Sequence, residues 1–588
     1  MAATESLMEG GQATYEKNGE KVNFELQPKN IGLTKEQLES YRNDPFWKPV
    51  RTVLFAVFWL SWLLMFAAAI AIVVFSPKCA EKEQPIWYTT QVSYQISLPS
   101  FRDSNGDGIG DFNGVTEKLD LLRKVGVTTI HLSPVVEIDK DVLFDASAII
   151  DENKVDERFG TEEELKNLIQ VAHDKDMHVI MDLPIATVSK KHPWFANGET
   201  EHFVTVTPVN SLYNSEKFYN WAGKNQTKYL GSPDEDHPVL DMFSDNVRTR
   251  AVKIIQLYTS MGIDGINVGH VRDVAGIKVF ELPDKEALEK GQNVIRTFAG
   301  IIRDSKDSTP EIKDKQLFFF ASLNSRQSER PPTVERSLYH VVDDSYTKFK
   351  SADCEKKNLA SCLFGYVNSS LSKVDSYSKY WQFENSESSR LADRFDPESA
   401  ALMTMLQLCM PGAISLHYGQ ELGMQSSKVS KQNSAMRWNS DVNSGFSSTA
   451  ELPKGLDTSK NGSTFDSHYS TESSLLKIVQ KLAKLRQRDE IFSLGLGKVE
   501  VVDDVLALGR SHQNPNITSH TYLGLFNFGT ENAVVKFKDF DVVLPPKEYD
   551  DGEIVVATER LSDFRPRQKI DFSSSLTLPA KQGILVKF

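Results

Sequence analysis

The sequence predicts an α/β fold: a (β/α)8 TIM barrel followed by a C-terminal antiparallel β-sandwich, with one transmembrane helix in front. Three observations carry this reading. An uncharged apolar run lies near the N-terminus. Short apolar runs then alternate with amphipathic helical segments over about 400 residues. After residue 490 the pattern becomes strands only.

The apolar run is Val53–Phe75, 23 residues without a charge. At helical rise it spans roughly 34 Å, enough to cross a bilayer core. It is apolar on every face, unlike a soluble core helix. It is too long, and too far from the N-terminus, for a signal peptide. Lys35, Arg42, Lys48 and Arg51 precede it, whereas Lys78 and Lys82 follow. That bias predicts a cytoplasmic N-terminus and an extracellular C-terminal part, a single-pass type II arrangement. Asn-x-Ser/Thr sequons begin at Asn225, Asn368, Asn461 and Asn516, all after the run, as a glycoprotein requires. Residues 1–52 form the cytoplasmic segment, and its first thirty residues are expected to be disordered. LTKEQLESYR reads as a short helix, with Thr34 as cap and Gln37 completing a capping box.

A neck, 76–90, leads to the barrel, 91–490. Its strands are read at 92–97, 127–133, 178–183, 265–268, 317–322, 339–342, 380–384 and 413–418. Between them, Leu165, Leu168, Ile169 and Ala172 share one helix face, as do Val247, Ala251, Ile254 and Tyr258. About 80 residues separate Asp182 from the fourth strand, room for a small subdomain. A helix at Leu475–Leu485 closes the barrel, and 491–588 form the sandwich.

Composition is that of a folded protein, 40% hydrophobic and 25% charged. Net charge is −13 with no basic stripe, which argues against nucleic acid as a partner. Of four cysteines, Cys354 and Cys362 lie eight apart in a polar stretch and could pair. Cys409, in LMTMLQLCM, reads as a buried thiol. Cys79 is left over, which suggests an intermolecular disulfide. The loop DSNGDGIGD sets Asp103, Asn105, Asp107, the Ile109 carbonyl and Asp111 at alternate positions. Hard oxygens with intervening glycines suit Ca²⁺; the alternative is a metal-free Asx turn. It is not an EF-hand, since its twelfth position is Gly114.

Several stretches are more specific: YQISLPSFRDSNGDGIGDFNGV, GVTTIHLSPV, RFGTEEELKNLIQVAHDKDMHVIMDL, HPWF, GIDGI and PGAISLHYGQELGM. In this order they resemble glycoside hydrolase family 13, the α-amylase and α-glucosidase family. The resemblance spans about residues 90–425 and implies the barrel. It also implies where catalysis would sit, and there the sequence departs. Retaining glycosidases need a nucleophile and an acid/base carboxylate. At the family's nucleophile position stands Gly269, with Asn267 in place of the usual Arg. At the acid/base position stands Ser322. The Asn-His pair after strand three is Ala186-Thr187, and the Asn-His-Asp after strand seven is Asn385-Ser386-Glu387. Asp182 and Arg390 are retained. The resemblance also implies Ca²⁺ in the DSNGDGIGD loop.

The segment from Gly32 to Cys79 is similar to the heavy chains of heteromeric amino-acid transporters, of the cell-surface antigen type. That resemblance implies a non-catalytic subunit at the plasma membrane. It would be joined through Cys79 and its transmembrane helix to a multi-pass light subunit, whose surface delivery it promotes. Alternatives are a membrane-bound α-glucosidase, and a carbohydrate-binding or adhesion protein using aromatics such as Trp194 and Trp221.

Overall fold

In the computed structural model, the described residues are 13–17, 20–24, 35–42, 44–75, 86–206, 218–224, 226–270, 315–323, 340–343, 349–350, 354, 358–373, 380–427, 434–449, 451–458, 462–512, 520–540, 543, 551–558 and 564–588. The chain divides into two compact units, Met1–Gln84 and Pro85–Phe588.

The first unit contains the apolar helix Trp47–Phe75, 29 residues long and apolar enough to cross a membrane. It starts six residues before the uncharged run; Pro49 fits its first turn, whose N–H groups have no intrahelical partner. The short helix lies at Lys35–Ser40, while its proposed cap Thr34 lies outside the described residues. The expectation of disorder in the first thirty residues needs correcting. Ala13–Lys17 pairs antiparallel with Glu20–Phe24. Asn18-Gly19, the strongest two-residue hairpin signal, stands between them.

The second unit is built on eight parallel strands. They are β1 (Val92–Ile96), β2 (Thr129–Leu132), β3 (His178–Asp182), β4 (Gly265–His270), β5 (Phe318–Leu323), β6 (His340–Asp343), β7 (Tyr380–Gln382) and β8 (Ala413–His417). Their order in the sheet is β6-β5-β4-β3-β2-β1-β8-β7, and β6 and β7 approach to close the ring. Each strand falls where sequence periodicity puts it. Alternation along the strands sorts side chains into two clusters. Val179, Met181, Phe319 and Trp381 join the large core between strands and helices. Ile180, Phe318, Phe320, Tyr380 and Ala413 form a separate cluster, against which Trp87 and Tyr88 pack. Trp87 stacks on His178 at 3.9 Å and donates its indole N–H to the Gln316 carbonyl at 2.7 Å.

The helices are fixed by their ends. Asp111 caps Phe112–Val125, which stops at Gly126 in the left-handed region. Thr161 and Glu164 form a capping box on Glu162–His173. The two predicted helix faces, Leu165/Leu168/Ile169/Ala172 and Val247/Ala251/Ile254/Tyr258, are buried. The long connection after Asp182 carries a three-stranded sheet of Thr205–Val206, Phe218–Asn220 and Lys228–Leu230. Leu475–Arg488 closes the barrel.

The sandwich pairs a six-stranded antiparallel sheet with a two-stranded antiparallel sheet of Ala533–Lys536 and Ser575–Leu578. Leu523, Leu525, Ile554 and Ile584 of the larger sheet share a core with Val535 and Leu578 of the smaller. Of two buried arginines, Arg510 ties sandwich to barrel and Arg486 ties the barrel's closing helix to the segment 408–412. Arg510, on strand Val505–Ser511, donates to the carbonyls of Cys409 (2.7 Å), Phe492 (3.2 Å), Gly495 (3.0 Å), Leu496 (3.1 Å) and Ile491. Arg486 donates to those of Leu408 (2.9 Å), Met410 (2.6 Å) and Gly412. Cys409 is free and fully buried between them, and burial pushes its thiol up to about 12. Cys354 and Cys362 form a disulfide, with Cα atoms 5.8 Å apart.

Candidate functional site

The C-terminal ends of barrel strands are where chemistry is built in this architecture. Here those ends are tied to one another. Asp182, the last residue of β3, accepts from His131 Nε2 on β2 and Asn267 Nδ2 on β4, each at 2.7 Å. Gln95 on β1 donates to its other oxygen at 3.4 Å. Gln95 in turn accepts from Gln382 on β7 and from the Ser386 backbone N–H, each at 3.3 Å. Burial opposes ionisation of Asp182, but the His131 ring and the two amides outweigh it and hold the carboxyl below its usual range. The retained aspartate is thus the centre of a closed hydrogen-bond network. Gln95, His131 and Gln382 are members that sequence reading missed. Each stands at or beside the C-terminal end of a predicted strand, which was the available signal.

Gly269 sits in an irregularity of β4, where three steps from Asn267 to His270 match two from Phe320 to Ser322. Its φ is +91°, and an added Cβ would lie 3.3–3.4 Å from Pro184. An aspartate, or any other L residue, would be strained in this backbone conformation. Ser322 lies in β5, paired with Val342 of β6. Glu387 is exposed, and its N–H donates to Asn385 Oδ1 at 3.1 Å. Arg390 is fully buried, donating to Glu384 at 2.8 Å and to the Tyr418 carbonyl. Ala186 and Thr187 are buried, with Thr187 bridged to Val239.

The description "Alpha amylase, catalytic domain" matches residues 95–495. The chain belongs to the α-amylase family. Ahead of that domain, residues 19–94 match "Solute carrier family 3 member 2 N-terminus". Amino acid transporter heavy chain SLC3A1 of Rattus norvegicus is 24% identical over 565 residues, 88% of this chain and 81% of that protein. Its Homo sapiens counterpart is 25% identical, covering 79% of this chain and 73% of that one. An α-glucosidase of Apis mellifera is 22% identical over 77% of this chain and 87% of its own length. Trehalose-6-phosphate hydrolase of Bacillus licheniformis superposes with a TM-score of 0.68 at 18% identity, over 85% of this chain and 99% of that one. At that identity the likeness speaks for the fold. A transporter-heavy-chain N-terminus joined to an α-amylase-type domain is therefore what the sequence motifs implied.

In this α-amylase-family chain, the DSNGDGIGD loop is ordered by its own side chains. Buried Asp103 accepts from Gly106 N (2.6 Å), Gly108 N (2.8 Å) and Ser447 Oγ (2.5 Å). Asp111 accepts from Ser104 N and Oγ (both 2.8 Å) and from Gly114 N (2.7 Å). Asn105 and Asp107 are exposed, each accepting one backbone N–H at 2.8–2.9 Å. Among the described residues, the three carboxylate, His or Cys side chains with ligating atoms all within 4.8 Å of one another are Glu199, Glu201 and His202, not the loop aspartates. The loop's oxygens are of the right kind for Ca²⁺, but in this conformation its buried carboxylates are engaged with N–H and hydroxyl donors. Asp103→Ala should cost about 2–4 kcal/mol even in chelator, because three donors lose their acceptor. Thermal melting of wild type and variant, each with Ca²⁺ and with chelator, measures this.

The aromatics offered for sugar stacking are committed elsewhere. Trp221 is buried and stacks on Phe195 at 4.2 Å. Trp194 has Arg250 over its ring at 5.2 Å and His202 beside it at 4.2 Å. Asn368 is exposed on the helix Leu359–Lys373. Cys79, Asn225, Asn461 and Asn516 lie outside the described residues.

Proposed function

We propose that this chain is the non-catalytic heavy subunit of a heterodimeric amino-acid transporter. It is a single-pass type II glycoprotein of the plasma membrane, with its N-terminus in the cytosol and the barrel outside. It anchors a multi-pass light subunit, joined through Cys79, and promotes that subunit's delivery to the surface. The observation that carries this reading is the pairing of two features on one chain. An N-terminal region of the solute carrier 3 type leads into the helix Trp47–Phe75. A barrel whose nucleophile position is Gly269 at φ +91° follows it. Exposed Asn368 supports a glycosylated outer domain. A structural Ca²⁺ held by Asp103, Asn105, Asp107, the Ile109 carbonyl and Asp111 would add cross-linking within one loop. It is supported by the oxygen donor set, and the melting comparison above tests it: a Ca²⁺-dependent rise in Tm of the wild type is the expected sign.

A disulfide holds two subunits at high effective concentration while adding little contact of its own. Cys79→Ser should therefore abolish a reducible high-mass band on a non-reducing gel of membranes. It should lower surface delivery of the light subunit only partly, because helix contacts remain. If the wild-type chain runs only as a monomer without reductant, and no multi-pass protein co-purifies in mild detergent, the assignment is wrong.

A further inference from the structure

The helix Trp47–Phe75 has two unlike faces. Phe55, Trp59, Trp62 and Phe66 recur at spacings of four, three and four, so they share one side. Their rings touch in series, with centroid separations of 6.2 Å for Phe55–Trp59, 6.2 Å for Trp59–Trp62 and 6.3 Å for Trp62–Phe66. Ala69 and Val73 extend the same spacing. The other side is aliphatic, with Val57, Leu60, Leu64 and Ala68.

Tryptophan normally marks the edge of a membrane span, where its N–H meets water and head groups. These two do not sit at an edge. Residue 64 is the midpoint of Val53–Phe75, so Trp62 and Trp59 lie about 3 Å and about 8 Å from the middle of the run. Three side chains in the run carry a hydrogen-bonding group: Ser61, Trp59 and Trp62. Ser61 is satisfied within the helix, donating to the Phe58 carbonyl at 2.8 Å. Neither indole N–H finds an acceptor among the described residues, and the two side chains are 48% and 50% exposed. Hydrocarbon offers an N–H no acceptor, so a donor held there calls for a polar atom from another polypeptide. The four-three spacing is that of a left-handed helix-packing seam.

We infer that this aromatic face is the docking surface for a transmembrane helix of the light subunit. That helix would present hydrogen-bond acceptors, hydroxyl or amide side chains or exposed carbonyls, at the depth of Trp59 and Trp62. The inference rests on the heavy-subunit reading and adds which face is used and what chemistry meets it.

The test uses the full-length chain in cells lacking their own copy. Complexes are extracted in mild detergent, and the Cys79-linked multi-pass subunit is followed as the probe. After reduction, its retention on the tagged chain reports the non-covalent interface alone. Trp59→Leu with Trp62→Leu should lower retention about tenfold relative to wild type. Trp59→Phe with Trp62→Phe keeps the rings and removes the N–H groups, and should lose part of it. Leu60→Val with Leu64→Val, on the opposite side, should lose little. Equal loss on both faces, or none on the aromatic face while the reducible band persists, overturns the inference. So does tryptophan-dependent co-purification of a second, differently tagged copy of this chain in place of the multi-pass protein. Absence of the reducible band in wild type removes the heavy-subunit reading, and the inference with it.

Discussion

Full-length protein purified in detergent should hydrolyse neither maltose nor a chromogenic α-glucoside, and Gly269→Asp should not restore activity. Glycosidases owe rate enhancements of many orders of magnitude to their carboxylate pair. With neither group present, turnover should sit at background. Reinstalling one carboxylate meets three obstacles. Gly269 has φ +91°, where an L side chain is strained, and its Cβ would crowd Pro184. Ser322 still offers no acid. Asp182 is tied to His131, Asn267 and Gln95 rather than free to meet a sugar. The variant should instead melt lower, by about 1–2 kcal/mol of stability. Glucose release that co-elutes with the wild-type protein through successive columns would refute this.

Arg510→Met should destabilise the second unit by about 3–5 kcal/mol. The methylene stem is replaced, so the loss comes from the guanidinium. Five carbonyls converge on it, that of Cys409 from the helix Pro397–Cys409 and those of Ile491, Phe492, Gly495 and Leu496 from the link to the sandwich, and all would be left without that donor. Burial, and next the charge of Arg486, push the guanidinium down to about 9, so it stays protonated at neutral pH. Arg510→Lys should recover only part of the stability, since one ammonium cannot serve a planar array of acceptors. Denaturant titration followed by tryptophan fluorescence measures both. A shift under about 1 kcal/mol for the methionine variant would mean that water replaces the bonds.

The barrel was legible because its strands are bounded apolar runs between helices with strong caps. Thr161 with Glu164 and Asp111 before Phe112 are local signals that tertiary contacts reinforce. The hairpin Val136–Ile138/Ile149–Val155 was not anticipated: its second strand, IIDENKV, alternates poorly and is mostly polar. At the site, the identities of Gly269 and Ser322 could be read directly from the sequence. The network around Asp182 could not. It depends on the register that sets Gln95 beside His131 and Asp182 beside Asn267, and no single strand encodes that. The left-handed conformation at Gly269 is likewise a property of how β4 slips against β5. The engagement of Asp103 by Ser447, 344 residues away in sequence, was equally out of reach.

Trp87 has a mechanical side. Covalently, any pull transmitted along the chain from the apolar helix reaches the second unit near its first described residues, Ile86–Thr90. The grip there is compact: one indole clamped face to face on His178, its N–H held by the Gln316 carbonyl, and Tyr88 laid on Phe318 at 5.0 Å. His178 belongs to β3 and Phe318 to β5, so tension passes at once into strands flanking β4 on either side. The load is shared across the staves of the barrel instead of peeling β1 from its end. A chain seated this way hands a pull to two strands of the barrel before it reaches β1.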